Sequence, residues 1–166
     1  MTAAPAERVR PPERFVPAWV APVSLALVAA GLAVSIYLTI THYTTSVRLA
    51  CSASGVIDCQ KVTTSPQSFI AGVPVAVLGV AFFVVFAVLC LPAAWRSGEP
   101  AVRYARIGWA VAGVVMVVRL VYAELFQIDA ICLWCTVVHA ISVVLFAVVL
   151  VGEALAVQAD SGSPAR

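Results

Sequence analysis

Charge is scarce in this sequence. Only 11% of its 166 residues are Asp, Glu, Lys or Arg, whereas soluble proteins carry about 25%. Apolar residues make up 63% of the chain, and the mean hydropathy is +1.04. The formal net charge of +2 is too small to indicate a nucleic-acid partner. This composition argues against a soluble domain and favours a chain whose solvent is lipid.

Four long apolar runs account for most of the excess. They cover about residues 18–40, 73–92, 104–126 and 130–152. Each is near the ~20 residues that an α-helix needs to cross the hydrocarbon layer. The first run does not have the features of a cleaved signal peptide, because it is long, starts late and lacks a small-residue cleavage site. We predict an all-α fold, an integral membrane four-helix bundle over residues 18–152, with short tails at 1–17 and 153–166.

Basic residues are unevenly placed around these runs. Six arginines precede the first run or lie between the second run and the first residues of the third: Arg8, Arg10, Arg14, Arg96, Arg103 and Arg106. The other side has Arg48 and Lys61 in a loop over residues 41–72. The positive-inside rule therefore predicts a multi-pass protein of the cell (inner, cytoplasmic) membrane, with both termini cytoplasmic and the loop extracytoplasmic.

Four of the five cysteines fall on the extracytoplasmic side, where disulfides persist. In CLWC, Cys132 and Cys135 stand three residues apart and share one face at the start of the fourth helix. We expect Asp129 to cap that helix, and its free first-turn N–H groups to stabilise a Cys132 thiolate. Cys51 and Cys59 lie in the small-residue stretch CSASGVIDC, which can bend and carry a disulfide. The fifth, Cys90, is expected to be an apolar filler.

Two other interpretations of these cysteines are open. Two structural disulfides could staple the outer loop, or a zinc ion could bind Cys132, Cys135, His139 and a loop cysteine. The C-x2-C-x3-H spacing is imperfect for zinc, and His139 would point one turn into the membrane. Because CxxC at a helix start is more typical of redox exchange, we predict thiol–disulfide exchange and no metal.

Several short motifs occur together in a fixed order. Loop cysteines are followed by CQKVTTS from Cys59 to Ser65, then GVPVAVLG, then CLWC at the start of the last helix. In this combination, over about residues 20–150, the sequence resembles the vitamin K epoxide reductase (VKOR) family, specifically its bacterial members. DsbB differs, because its CxxC lies in the first outer loop. The resemblance implies a four-helix bundle around a quinone, with a short interfacial helix here at about Pro66 to Ala71.

The resemblance also implies roles for the four outer cysteines. Cys132 and Cys135 match the active-site pair, with Cys135 nearer the quinone. Cys51 and Cys59 match the loop pair that shuttles electrons. Cys59 would form the transient disulfide with Cys132, and Cys51 would meet an outside partner.

Two further residues are candidates for quinone binding. Ser65 matches the family's loop serine or threonine, which supports the active site. His139 stands where animal members have tyrosine, one turn beyond Cys135 on the same face. It could hydrogen-bond a quinone carbonyl or deliver a proton, although a bond to a neighbouring helix is an alternative. Val75 falls where animal members have asparagine, so a plain quinone (menaquinone or ubiquinone) is expected instead of vitamin K epoxide.

We therefore expect a membrane quinone reductase that generates disulfides. Electrons would pass from a periplasmic, DsbA-like thioredoxin-fold protein through the loop pair and the CLWC pair to the quinone. Many bacterial members of the family carry a fused thioredoxin-like domain, and this chain has none in its 166 residues, so the partner is expected to be a separate protein. The alternative is a non-catalytic membrane scaffold or transporter subunit with structural disulfides.

Three polar or aromatic residues near the outer face have open roles. We expect Arg119 to extend its side chain to the membrane surface, the alternative being a contact with Glu124 or substrate. Tyr37 is expected either to offer its hydroxyl to the pocket or to lie in the interfacial aromatic belt. Trp134 is expected to anchor at the interface.

Overall fold

The structure is a computed structural model that describes residues 14–44, 49–51 and 54–162. The expectations for Arg8, Arg10 and Arg48 lie outside the described residues. Six α-helices occur in the described part: α1 (Val20–Tyr43), α2 (Cys59–Thr63), α3 (Val75–Leu89), α4 (Pro92–Arg96), α5 (Pro100–Ala123) and α6 (Leu133–Gly162). A 3-10 turn at Pro66–Ser68, strands β1 (Phe69–Ile70) and β2 (Val73–Pro74), and a π-turn at Glu124–Ile128 complete the described elements.

Four helices form the bundle. α1, α6 and α5 with its π-turn are each long and apolar enough to cross a membrane, and α3 is a shorter apolar helix of 15 residues. α1 packs against α3 and α6, and α5 packs against α6 and α3. The prediction of an all-α membrane helix bundle is confirmed.

Small residues let the helices approach closely. Gly31 of α1 faces the Phe83 ring of α3, and Gly113 of α5 faces the Phe82 ring. A Cβ atom at either glycine would overlap the ring that it faces. Such small-against-large contacts are a common way to pack helices in lipid, where no hydrophobic force drives helices together.

One end of the bundle, which we call the arginine end, is built around Glu153 of α6. Its Oε1 accepts hydrogen bonds from Nε (3.0 Å) and Nη2 of Arg106 on α5. Its Oε2 accepts from Arg14 Nη1 at 3.1 Å and lies 3.5 Å from Arg103 Nε. Because Glu153 is paired and buried, α6 continues past the end of the predicted apolar run at residue 152 and reaches Gly162.

The opposite end, which we call the cysteine end, holds the loop cysteines and the start of α6. The interfacial helix expected at Pro66 to Ala71 is present only as the 3-10 turn Pro66–Ser68. The chain then forms a hairpin, in which Phe69 pairs with Pro74 and Ile70 with Val73. Ala71 and Gly72 make its turn with φ of 50° and 80°. Two successive positive φ values are typical of the tight turn of a β-hairpin, which ends the helical segment early.

Candidate active site

Cys132 itself occupies the N-cap position of α6. Its carbonyl accepts the Thr136 N–H at 2.9 Å, and its Sγ accepts the Cys135 N–H at 3.4 Å. The second bond is the one an N-cap side chain makes to the third residue of a helix. The expectation that Asp129 caps α6 is wrong: Asp129 has a φ of 51° and ends the π-turn, with its N–H on the Glu124 carbonyl.

This position favours the thiolate of Cys132. A hydrogen bond with the Cys135 side chain lowers the pKa of Cys132 below that of an ordinary thiol. The N–H groups of Cys135 and Trp134 lower the pKa further, whereas burial and the Glu124 carboxylate act against them without reversing the net shift. Since the thiolate is the nucleophile in disulfide exchange, Cys132 is suited to attack a neighbouring disulfide.

The loop cysteines form that neighbouring disulfide. Cys51 and Cys59 are bonded, with their Cα atoms 6.1 Å apart. Cys132 and Cys135 are free thiols. The resulting state pairs an oxidised loop with a reduced CLWC motif.

A short backbone ladder aligns the loop with the start of α6. Ile57 pairs with Ile131 as a parallel bridge. The Ile131 N–H donates to the Val56 carbonyl at 2.8 Å, and the Asp58 N–H donates to the Ile131 carbonyl at 3.1 Å. On one strand the ladder ends at Ile131, directly before Cys132. On the other strand it ends at Asp58, directly before Cys59.

The ladder therefore brings the two cysteine pairs together. Cys59 is 2% exposed and Cys132 is fully buried, and both belong to one apolar cluster against which Cys51 and Cys135 pack. Asp58 caps α2 by accepting the Lys61 N–H on Oδ1 at 2.9 Å, which fixes Cys59 as the first helical residue. Cys90 lies apart from them, in the main core of the bundle.

A cavity of about 420 Å³ opens beside Cys135 between the helices. Its walls are mostly apolar side chains of α1, α3, α5 and α6, including the rings of Phe82, Phe83 and Trp109. A mostly apolar cavity with a few polar groups is the usual form of a site for an apolar ring compound. The residues present therefore fit a quinone.

Both residues expected to bind a quinone line this cavity. His139 is 7% exposed and lies on the same side of α6 as Cys135. Ser65 is also buried, but its hydroxyl donates to the Val62 carbonyl at 2.8 Å and so closes the end of α2. Val75 lies on the cavity wall as an apolar residue.

Glu124 is a cavity residue that the sequence interpretation considered only as a partner for Arg119. It is 5% exposed, lies beside the Cys132 backbone N–H, and acts electrostatically on both CLWC thiols. Arg119 is exposed, and no ion pair between it and Glu124 occurs in the described part of the chain. Glu124 and His139 also line a second groove between α5 and α6. The signal that could have found Glu124 is its charge in an apolar span, because ionisable groups at membrane depth are usually functional.

Tyr37 and Trp134 contact the loop. The Tyr37 hydroxyl accepts the Ala50 N–H at 3.0 Å, and the Trp134 Nε1 donates to the Ala50 carbonyl at 3.2 Å. Neither ring lines the cavity. Of the two positions predicted for Tyr37, the pocket is therefore not the one observed, and the loop contacts of Tyr37 and Trp134 were not predicted.

Among the described residues there is no group of three or more His, Cys, Asp or Glu side chains that could hold a metal ion. The zinc interpretation therefore receives no support from the described part of the site.

A helical membrane bundle with a loop disulfide beside a free CxxC pair has the make-up of a membrane thiol–disulfide oxidoreductase. Comparison with protein families agrees with this class: residues 22–150 match the family described as "Vitamin K epoxide reductase family". The chain belongs to the vitamin K epoxide reductase family. A comparison with individual curated proteins gave no significant match. Membership makes the protein a membrane-bound oxidoreductase of a family that uses quinone-type electron carriers and works with thioredoxin-fold partners.

Proposed function

We propose that the protein oxidises the dithiol of a separate, DsbA-like thioredoxin-fold protein and passes the electrons to a quinone. This proposal rests on three features that lie together at the cysteine end of the bundle. They are the Cys51–Cys59 disulfide, the free Cys132 and Cys135 thiols, and the apolar cavity that Cys135 lines. This arrangement offers a route from an aqueous thiol to a lipid-soluble acceptor.

The transfer between the two pairs is an ordinary thiol–disulfide exchange. In the oxidising direction, the Cys59 thiolate attacks Cys132 of a CLWC disulfide, and Cys135 leaves as a thiolate. The Cys51 thiolate then attacks Cys59, and Cys132 leaves. Two electrons have moved from the loop pair to the CLWC pair, and the loop disulfide is again ready for an external dithiol.

The side chains around Cys135 serve the last transfer. A bound quinone supplies the two-electron acceptor, and menaquinone or ubiquinone suits the apolar walls. Cys135 and Ser65 both line the cavity. His139 and Glu124 can hold and move the protons that the two thiols release, in a site that the apolar walls keep poor in water.

The proposed topology follows from charge. The arginine end is placed at the cytoplasmic face with both tails, 1–17 and 153–166, and residues 18–152 are taken as the membrane domain. The cysteine end then faces the extracytoplasmic side, where Cys51, which is half-buried, can meet the partner.

The proposal is tested with purified protein, a reduced DsbA-like protein and a water-soluble ubiquinone or menaquinone analogue. We expect the quinone absorbance to bleach, and Cys135→Ser to abolish the bleaching. Cys90→Ala is the matched control, because Cys90 lies in the main core away from the site, and it should retain activity.

Variant His139→Ala should slow quinone reduction while the exchange between Cys59 and Cys132 continues. Two results would contradict the proposal. One is unchanged turnover after all four outer cysteines are replaced, as a scaffold would show. The other is thiol labelling that places Cys51 and Cys132 on opposite sides of the bilayer.

A further inference from the structure

Three segments of the chain meet at the backbone of Ala50. Its N–H donates to the Tyr37 hydroxyl of α1, and its carbonyl accepts from the Trp134 indole of α6. The two rings touch edge to face, with centroids 5.1 Å apart. Both polar groups of one peptide segment are thus held by two side chains that also hold each other. We call these two side chains and Ala50 the loop clamp.

The residues of the loop clamp are also direct sequence neighbours of the reacting cysteines. Ala50 directly precedes Cys51, and Trp134 stands between Cys132 and Cys135. The segment on each side of the loop disulfide is therefore attached to the start of α6. The backbone ladder to Ile131 holds the Cys59 side, and the loop clamp holds the Cys51 side.

The two attachments differ in the burial of the cysteine beside them and in the groups that form them. The ladder consists of backbone hydrogen bonds next to Cys59, which is 2% exposed. The clamp consists of two side-chain hydrogen bonds at exposed positions next to Cys51, which is half-buried. Exposed hydrogen bonds open at low free-energy cost. Opening the clamp alone frees the Cys51 side of the disulfide while the ladder keeps Cys59 beside Cys132.

We propose that Tyr37 and Trp134 are positioning residues, which hold the loop disulfide against the CLWC turn for exchange and shield Cys51 until they release it. This inference rests on the proposed function. The exchange it concerns is balanced: the Cys132 thiolate attacks Cys59, the Cys59–Cys132 bond forms, the Cys51–Cys59 bond breaks, and Cys51 leaves as a thiolate. No net oxidation occurs in this step.

The clamp predicts opposite effects on two rates when either hydrogen bond is removed. Tyr37→Phe and Trp134→Phe each delete one polar group and keep a ring. Formation of the Cys59–Cys132 link should slow, because the disulfide spends less time docked. Reduction of Cys51–Cys59 by an external dithiol should become faster, because Cys51 is less shielded. We expect each rate to change about fivefold, since one hydrogen bond corresponds to roughly 3- to 10-fold.

Both rates can be measured without a quinone. The link is followed by non-reducing peptide mapping in Cys135→Ser protein, after a jump from acidic to neutral pH. Disulfide reduction is followed by maleimide labelling in Cys132→Ser/Cys135→Ser protein treated with dithiothreitol. Matched controls are Tyr43→Phe and Trp19→Phe, which alter exposed rings that form no hydrogen bond with Ala50 and should leave both rates within about twofold.

The outcomes separate this inference from the proposed function. A slower link with faster reduction, in both variants and neither control, supports the clamp. Unchanged rates, or two rates that fall together as in general destabilisation, overturn it. If the Cys135→Ser protein with an intact clamp forms no Cys59–Cys132 link, the proposed relay fails, whereas the reduction rates still decide whether the clamp shields Cys51.

Discussion

Glu153 offers the largest stability effect that this structure predicts. In Glu153→Ala, the only carboxylate that contacts Arg106 among the described residues is lost, while Arg106 stays 1% exposed. Arg14 and Arg103 lose the same acceptor. Breaking a buried pair by removing one partner costs about 3–5 kcal/mol, because the remaining charge is left buried.

The remaining contacts of Arg106 place the effect near the lower end of that range. Its Nη1 still donates to the Leu89 carbonyl at 2.9 Å, and its guanidinium lies 3.6 Å from the Trp95 ring centroid. A cation over an indole ring keeps part of its stabilisation without a carboxylate. We therefore expect a loss of about 3 kcal/mol, which corresponds to a fall in Tm of about 10 °C for a chain of this size.

Thermal unfolding in one detergent, at one scan rate, measures this loss. Glu99→Ala is the matched control, because Glu99 is exposed at the start of α5 and forms no ion pair with any described residue. Its Tm should change by no more than ~2 °C. The double replacement Arg106→Met/Glu153→Leu should recover much of the loss, since no charge then remains at the fully buried position 106. If Glu153→Ala unfolds at the same temperature as Glu99→Ala, the buried ion cluster does not stabilise the bundle.

Two further predictions concern the packing and the thiols. Gly31→Ala should destabilise the protein by about 1–3 kcal/mol in the same unfolding assay, because the new methyl overlaps the Phe83 ring. Gly108→Ala is the control: its methyl meets open space, so the variant should be neutral or slightly stabilising. Equal Tm values for the two variants would contradict this packing. The pKa of Cys132 is lowered chiefly by the Cys135 side chain. In Cys135→Ala, the pH midpoint of Cys132 alkylation should therefore rise toward that of an ordinary thiol. An unchanged midpoint would show that Cys135 does not cause the lowered pKa.

The helices were predictable because the membrane imposes a length. A run of about 20 apolar residues is visible without any knowledge of tertiary contacts, and this located α1, α5 and α6. The CLWC motif was predictable for a similar reason: two thiols at i and i+3 share a helix face wherever that helix packs. Local geometry was sufficient in both cases.

The details that depend on distant pairing were not predictable. Asp129 looked like a helix cap, but the ladder between Ile131 and the loop keeps the chain extended until Cys132, and the cysteine takes the cap position instead. Glu153 looked like the first polar residue of a tail, although its partners on other segments make it part of the core. In each case the deciding contact joins residues far apart in sequence, which a pattern in one segment cannot show.

The two ends of the bundle are stabilised in ways that suit their different tasks. The arginine end combines buried charges, backbone carbonyl acceptors and the Trp95 ring. Loss of one charged member leaves its partner's charge buried with less compensation, which destabilises the fold. At the cysteine end, the loop is joined to the segment around the start of α6 by a two-bond ladder and by exposed side-chain hydrogen bonds of Tyr37, Trp134 and Lys61. A disulfide that must contact first an external dithiol and then Cys132 needs a segment whose local opening is cheap compared with global unfolding. Because the four helices of the bundle are held together at the arginine end, the loop can open without loosening the cavity beside Cys135.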